Sequence, residues 1–110
     1  DEAVIEAYKT DKLVQHKITL RWGLAFISAV KEVKARLGEI TENLLIMHGG
    51  EDKVSGVDGA QLLINKLGKK RAHLIIYPDL YHELHNELEP GRIKVFQSIK
   101  AWLTTQQNKS

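Results

Sequence analysis

The sequence contains no cysteine, which excludes a disulfide framework and a thiolate metal site. It has no long basic block either: 16 basic and 14 acidic residues are scattered along the chain, and the longest Lys/Arg run is Lys69-Lys70-Arg71. Nucleic acid is therefore not an expected partner. Long hydrophobic runs are also missing. None exceeds the four residues of 44–47, far short of the roughly 20 residues that span a bilayer, and the N-terminus shows no signal-peptide pattern. A cytoplasmic setting is the default expectation. An initiating methionine is absent as well, since the chain begins at Asp1, and a preceding segment is expected on that ground. Repeats and low-complexity stretches do not occur. What is present is ordinary globular material: 110 residues, 43% apolar and 27% charged, enough for one small domain or a piece of one.

Periodicity organises this material. Residues 2–9 suit a short helix, and residues 10–17 show neither period and read as a connector. From Thr19 onward Leu20, Leu24, Ile27, Val30, Val33 and Leu37 follow a helical stripe, with Gly38 expected as a left-handed stop. Trp22, Phe26 and Ala29 add a second apolar line, so this helix is expected to bury more than one face in a core, or else to present one to a greasy ligand, with Trp22 and Phe26 read as core first and acyl-pocket lining second. Residues 43–48 form a short apolar run ended by Gly49-Gly50, as expected of a strand buried on both faces. Ser55 and Asp58 stand at capping-box spacing before Ala60, Leu63, Ile64 and Leu67, with Gly68 closing a helix. Residues 72–77 form a second apolar strand stopped by Pro78-Asp79. A last helix follows Pro90-Gly91 on the spacing of Ile93, Phe96, Ile99 and Leu103, and the polar residues 104–110 are expected to fray. Strand, helix, strand, helix in this order implies parallel strands and right-handed crossovers, hence an α/β architecture. Two parallel strands need neighbours on their edges, so further strands are expected outside this sequence.

In open α/β sheets, working residues lie in loops beyond the carboxyl ends of the strands. The first such loop places Asp52 four residues past His48, and the second places His82 beyond Tyr77. An Asp beside a His fixes the imidazole tautomer and stabilises the imidazolium formed when the ring takes a proton, as in a Ser-His-Asp triad. Other readings of these residues are weaker. His82-Glu-Leu-His85 falls one residue short of the zinc spacing H-E-x-x-H and lacks a clear third ligand. His48 ends a strand and reads as a packed, hydrogen-bonded residue. Glu83 and Glu87 read as solvated or loop-bracing, and His16 and His73 carry no signal.

The stretches HGGEDKV at 48–54, YHELHNE at 81–87 and FQSIKAWL at 96–103 resemble the C-terminal end of monoacylglycerol lipase-like serine hydrolases. DKLVQH at 11–16 resembles the exit of that family's cap region, so the likeness covers nearly the whole chain. It departs in lacking the usual proline after Asp11 and at position 43, both turn positions. The resemblance implies a C-terminal portion of an α/β-hydrolase fold preceded by a helical remnant of the cap region. Residues 1–38 would be the end of the cap and the helix returning to the core, and residues 39–110 the C-terminal part of the core. It further implies Asp52 as catalytic acid, His82 as base and Val54 in the acyl pocket, acting on lipid or other carboxylic esters without metal or organic cofactor. Peripheral membrane contact through the cap is a further implication.

The nucleophile is missing. None of Ser28, Ser55, Ser98 and Ser110 has glycine two positions away on both sides, as a G-x-S-x-G elbow requires. The expected partner is therefore an N-terminal part of the same enzyme, carrying the serine and the oxyanion hole. Two alternatives keep part of this picture: an α/β-hydrolase with an Asp nucleophile, of the epoxide hydrolase or dehalogenase type, and a non-catalytic fragment or interaction module.

Overall fold

The computed structural model describes residues 2–13 and 17–108, apart from the side chain of Val4. Residues 14–16 of the 10–17 connector, among them His16, and the last two positions of the tail lie outside the described residues. The chain divides into two compact units, residues 1–36 and 37–110.

The first unit holds helices α1 (Glu2–Thr10) and α2 (Leu20–Arg36). Thr19 starts α2 by accepting the Trp22 N–H on its hydroxyl at 3.2 Å, the usual way an N-cap satisfies an orphan donor. Trp22 and Phe26, one turn apart, stack with ring centroids 5.4 Å apart. The helix expected from the stripe is therefore present, but its expected burial is not. No residue of α2 is buried, and Leu20, Trp22, Leu24, Phe26, Ile27 and Val33 are each more than half exposed. Amphipathic spacing encodes a face that suits burial; it does not supply the surface that covers it. Gly38 also behaves differently from expectation. Gly68 is the sole glycine with positive φ among the described residues, and at Gly38 the chain instead tightens into a 3-10 turn, Leu37–Glu39.

The second unit is a strand–helix–strand–helix module: β1 (Leu44–Gly49), α3 (Val57–Leu67), β2 (Ala72–Tyr77) and α4 (Gly91–Gln107). β1 and β2 pair in parallel, Leu44 opposite Ala72 through Gly49 opposite Tyr77. Both strands therefore end at the same edge. Gly68 turns α3 back toward β2 at φ 76°, a left-handed conformation suited to glycine, while its N–H bonds the Ile64 carbonyl. The buried apolar residues are Leu37, Ala60, Ala72, Leu84 and Val95, so the core draws on α3, β2, α4 and both 3-10 turns.

Three further expectations are corrected. The strands are mostly half-buried, because among the described residues the sheet has two strands and each is an edge. Ser55 does not cap α3: the N-cap is Gly56, with no side-chain cap bond, because the Ser55 hydroxyl points to Asp52 instead. The C-terminal stretch is helical through Gln107, and Asn43 at the foot of β1 donates to the Gln106 side chain at 2.8 Å, tying down the last turn.

Candidate active site

Parallel pairing in register delivers the two loops side by side. After β1 the chain turns at once, Gly50 N–H bonding the Tyr77 carbonyl at 2.7 Å and Glu51 N–H the Leu80 carbonyl at 3.0 Å. Glycine is required here by proximity. A Cβ on Gly49 would run into the carbonyl oxygens of Leu80 and Tyr81, and one on Gly50 would meet Pro78. The two exit loops thus touch through their backbones, and their side chains share one small space.

The carboxylate of Asp52 occupies that space, with 3% of its side chain exposed. Oδ1 accepts the backbone N–H of Val54 at 2.8 Å and of Ser55 at 3.0 Å. Oδ2 accepts the Ser55 hydroxyl at 2.8 Å and lies 2.8 Å from His82 Nδ1. Withdrawal from water by itself raises the pKa of this group. The bonds from His82, from the backbone and hydroxyl of Ser55 and from the Val54 N–H outweigh that effect and hold the carboxyl well below the usual carboxylate range. Asp52 is therefore an anion at neutral pH, and an anion can only accept, so His82 Nδ1 carries the proton.

His82 is 49% exposed, and among the described residues its Nε2 has no hydrogen-bond partner. The loop that carries it is braced from beneath. Glu87 accepts the Tyr81 N–H on its carboxylate, Leu84 buries its side chain, and a 3-10 turn, Leu84–Asn86, closes the segment. The sequence thus places an acid and a base in adjacent loops, and the structure brings Asp52 and His82 into hydrogen-bond contact. Val54 lies next to them, its N–H on Asp52 and its side chain 77% exposed. His85 is exposed in the 3-10 turn, and among the described residues no three metal-binding side chains converge.

Two residues join the site without having been singled out for it. His48 reaches the carboxylate from the end of β1, its Nε2 3.6 Å from Asp52 Oδ2 and 3.4 Å from the Ser55 hydroxyl, and its Nδ1 2.7 Å from the Gly49 carbonyl. Ser55 stands three residues after Asp52, the spacing at which a short loop folds a hydroxyl back onto a carboxylate. That spacing was the available signal. It was masked by the equally valid capping pattern with Asp58.

A chemically competent arrangement follows: an anion, an oriented imidazole and an outward-facing ring nitrogen able to take a proton. The family model for serine aminopeptidase, S33, matches residues 1–89. A monoacylglycerol lipase of Mycolicibacterium smegmatis is 33% identical over 96% of this chain and 37% of its own length. The monoglyceride lipase of Homo sapiens is 29% identical over 91% of this chain and 33% of its own, and that of Rattus norvegicus 26% identical over 94% and 35%. The chain thus spans little more than a third of the length of these relatives. With the α/β order of its elements, the match over most of its length means that the chain belongs to the serine aminopeptidase S33 family of α/β-hydrolases.

Proposed function

We propose that this chain is the acid–base part of a carboxylic ester hydrolase, acting on monoacylglycerol-like lipid esters with medium or long acyl chains. The observation that carries the reading is the 2.8 Å bond from His82 Nδ1 to Asp52 Oδ2, with Nε2 left outward. The names of the relatives supply the substrate class.

In this reading, Asp52 holds His82 in the Nδ1–H tautomer, so Nε2 offers its lone pair to a serine hydroxyl. That serine belongs to polypeptide outside these 110 residues, because no serine here sits in a G-x-S-x-G elbow. His82 takes the serine proton as the oxygen attacks the ester carbonyl, and the buried anion of Asp52 stabilises the imidazolium. The imidazolium then protonates the leaving alkoxide, which departs as glycerol or another alcohol. His82 next activates water to hydrolyse the acyl-serine and release the fatty acid. Each step is a proton transfer or an acyl transfer, and no cofactor enters the scheme. Val54, exposed beside the pair, lines the acyl side of the site in this reading.

The test is hydrolysis of a monoacylglycerol by the full-length protein. His82→Ala is expected to abolish turnover, and Asp52→Asn to lower it by about 10⁴-fold, the loss found when a triad acid stops fixing the tautomer. Near-normal turnover by His82→Ala would remove His82 from the mechanism.

A further inference from the structure

The Ser55 hydroxyl has one proton and two acceptors within reach, Asp52 Oδ2 at 2.8 Å and His48 Nε2 at 3.4 Å. The carboxylate is nearer and charged, so it receives the proton. On the far side of the imidazole, His48 Nδ1 faces the Gly49 carbonyl, which can only accept; that contact fixes a proton on Nδ1 and seats the ring behind the serine. The Ser55 side chain, though exposed, thus stands between an imidazole and the anion, and its hydroxyl is aimed at the same carboxylate oxygen that faces His82.

We propose that Ser55 is a positioning residue for this acid–base pair, its hydroxyl fixing the Asp52 carboxylate and limiting the negative charge that Oδ2 presents to His82. The inference rests on the roles given to Asp52 and His82 above and adds how the carboxylate is controlled. Val54 and Ser55 N–H groups hold Oδ1 alone, which leaves Oδ2 with two side-chain donors. One of them, His82, is half exposed and must move charge during turnover. Ser55 is held within the tight 52–55 loop and carries no charge, so it can keep Oδ2 in place while His82 cycles. A hydroxyl donating to Oδ2 also draws off part of its charge, and a carboxylate so weakened stabilises the His82 imidazolium less. Among the described residues, the titratable groups facing Asp52 are His82 from the loop after β2 and His48 from the end of β1.

Two isosteres separate the hydroxyl from the bulk of the side chain: Ser55→Thr keeps the proton donor and Ser55→Val lacks it. In the full-length protein, Ser55→Val is expected to lower kcat about tenfold, the order of one lost charge-assisted hydrogen bond, with KM little changed. Its kcat/KM profile should also lose activity at a higher pH on the acid side, because His82 would then hold its proton more tightly. Ser55→Thr is expected to retain both the rate and the profile. Ser55→Ala adds no bulk and gives the same comparison should valine disturb the loop. Equal losses in Val and Thr variants, or an acid limb that Ser55→Val and Ser55→Ala leave unmoved, overturn the proposal. His82→Ala measured alongside separates the two levels. If it is inactive while Ser55→Val matches the parent protein, only the role of Ser55 falls; if it keeps turnover, the acid–base reading falls and takes Ser55 with it.

Discussion

Asp52 combines near-complete enclosure with four hydrogen-bond donors at 2.8 to 3.0 Å, and its carboxyl stays ionised well into acid. The consequence for stability has a definite sign. Because the folded pKa lies below the unfolded one, near 3.9, the anion contributes stability that is fully present above the unfolded value. That contribution is lost as pH falls toward the lower folded value. Acid unfolding of the parent chain and of Asp52→Asn, followed by circular dichroism, is expected to show the parent losing stability relative to the variant as pH falls below about 4. Parallel acid curves would show that the carboxylate gains nothing from its partners. At this scale Asp52 and His82 could be read from the sequence because each follows a short apolar strand and such loops collect chemistry. Ser55 and His48 could not be read in the same way. Their role depends on how closely the 48–55 segment folds on itself, a backbone property that residue spacing leaves undetermined.

The elements hold the pair through glycines of very different worth. Gly49 sits where the two exit loops cross, and Gly49→Ala forces a methyl group against the Leu80 and Tyr81 carbonyls. A cost of about 2 to 3 kcal/mol is expected, as for other overpacked sites, together with loss of the His82–Asp52 contact. Gly59 lies inside α3, where an added Cβ would meet nothing within 4 Å. Gly59→Ala should therefore stabilise the fold by about 0.5 to 1 kcal/mol by removing backbone freedom from a helical position. Urea unfolding of both variants checks the contrast, and equal shifts would refute it. The order of elements and the centres of the four helices and two strands described were legible, since a 3.6-residue stripe and a short apolar run stopped by glycine or proline are properties of the chain itself. Their ends were less so. Gly38 and Gly68 follow helices in the same way, yet only Gly68 takes a left-handed conformation, because there the chain must reverse at once into β2. The ordered 104–107 turn rests on an Asn43–Gln106 bond across 63 positions, and no local pattern reports such a contact.

At the scale of the whole molecule, the apolar surface of α2 is expected to govern behaviour in solution. Six large apolar side chains more than half exposed on a single helix exceed the scattered exposure usual for a monomer. The isolated 110-residue chain is expected to self-associate in sedimentation and to bind ANS. Leu24→Glu with Ile27→Lys should suppress both while leaving helical circular dichroism in place, since the new pair sits at the favourable i,i+3 spacing. ANS binding unchanged by that pair would locate the sticky surface elsewhere. The isolated chain is also expected not to hydrolyse p-nitrophenyl esters, having an oriented base without an elbow serine. The register of β1 and β2 has a different kind of consequence. Acid and base are delivered by two consecutive lengths of chain that meet at one end of the sheet, whereas the turn at 68–71 that joins them lies at the other end. Lengthening or nicking that distal turn changes connectivity without moving either partner, whereas a single residue inserted between Gly49 and Asp52 would carry the carboxylate out of reach. The molecule is therefore divisible on one side and indivisible on the other, and changes in chain length should accumulate on the side away from the dyad.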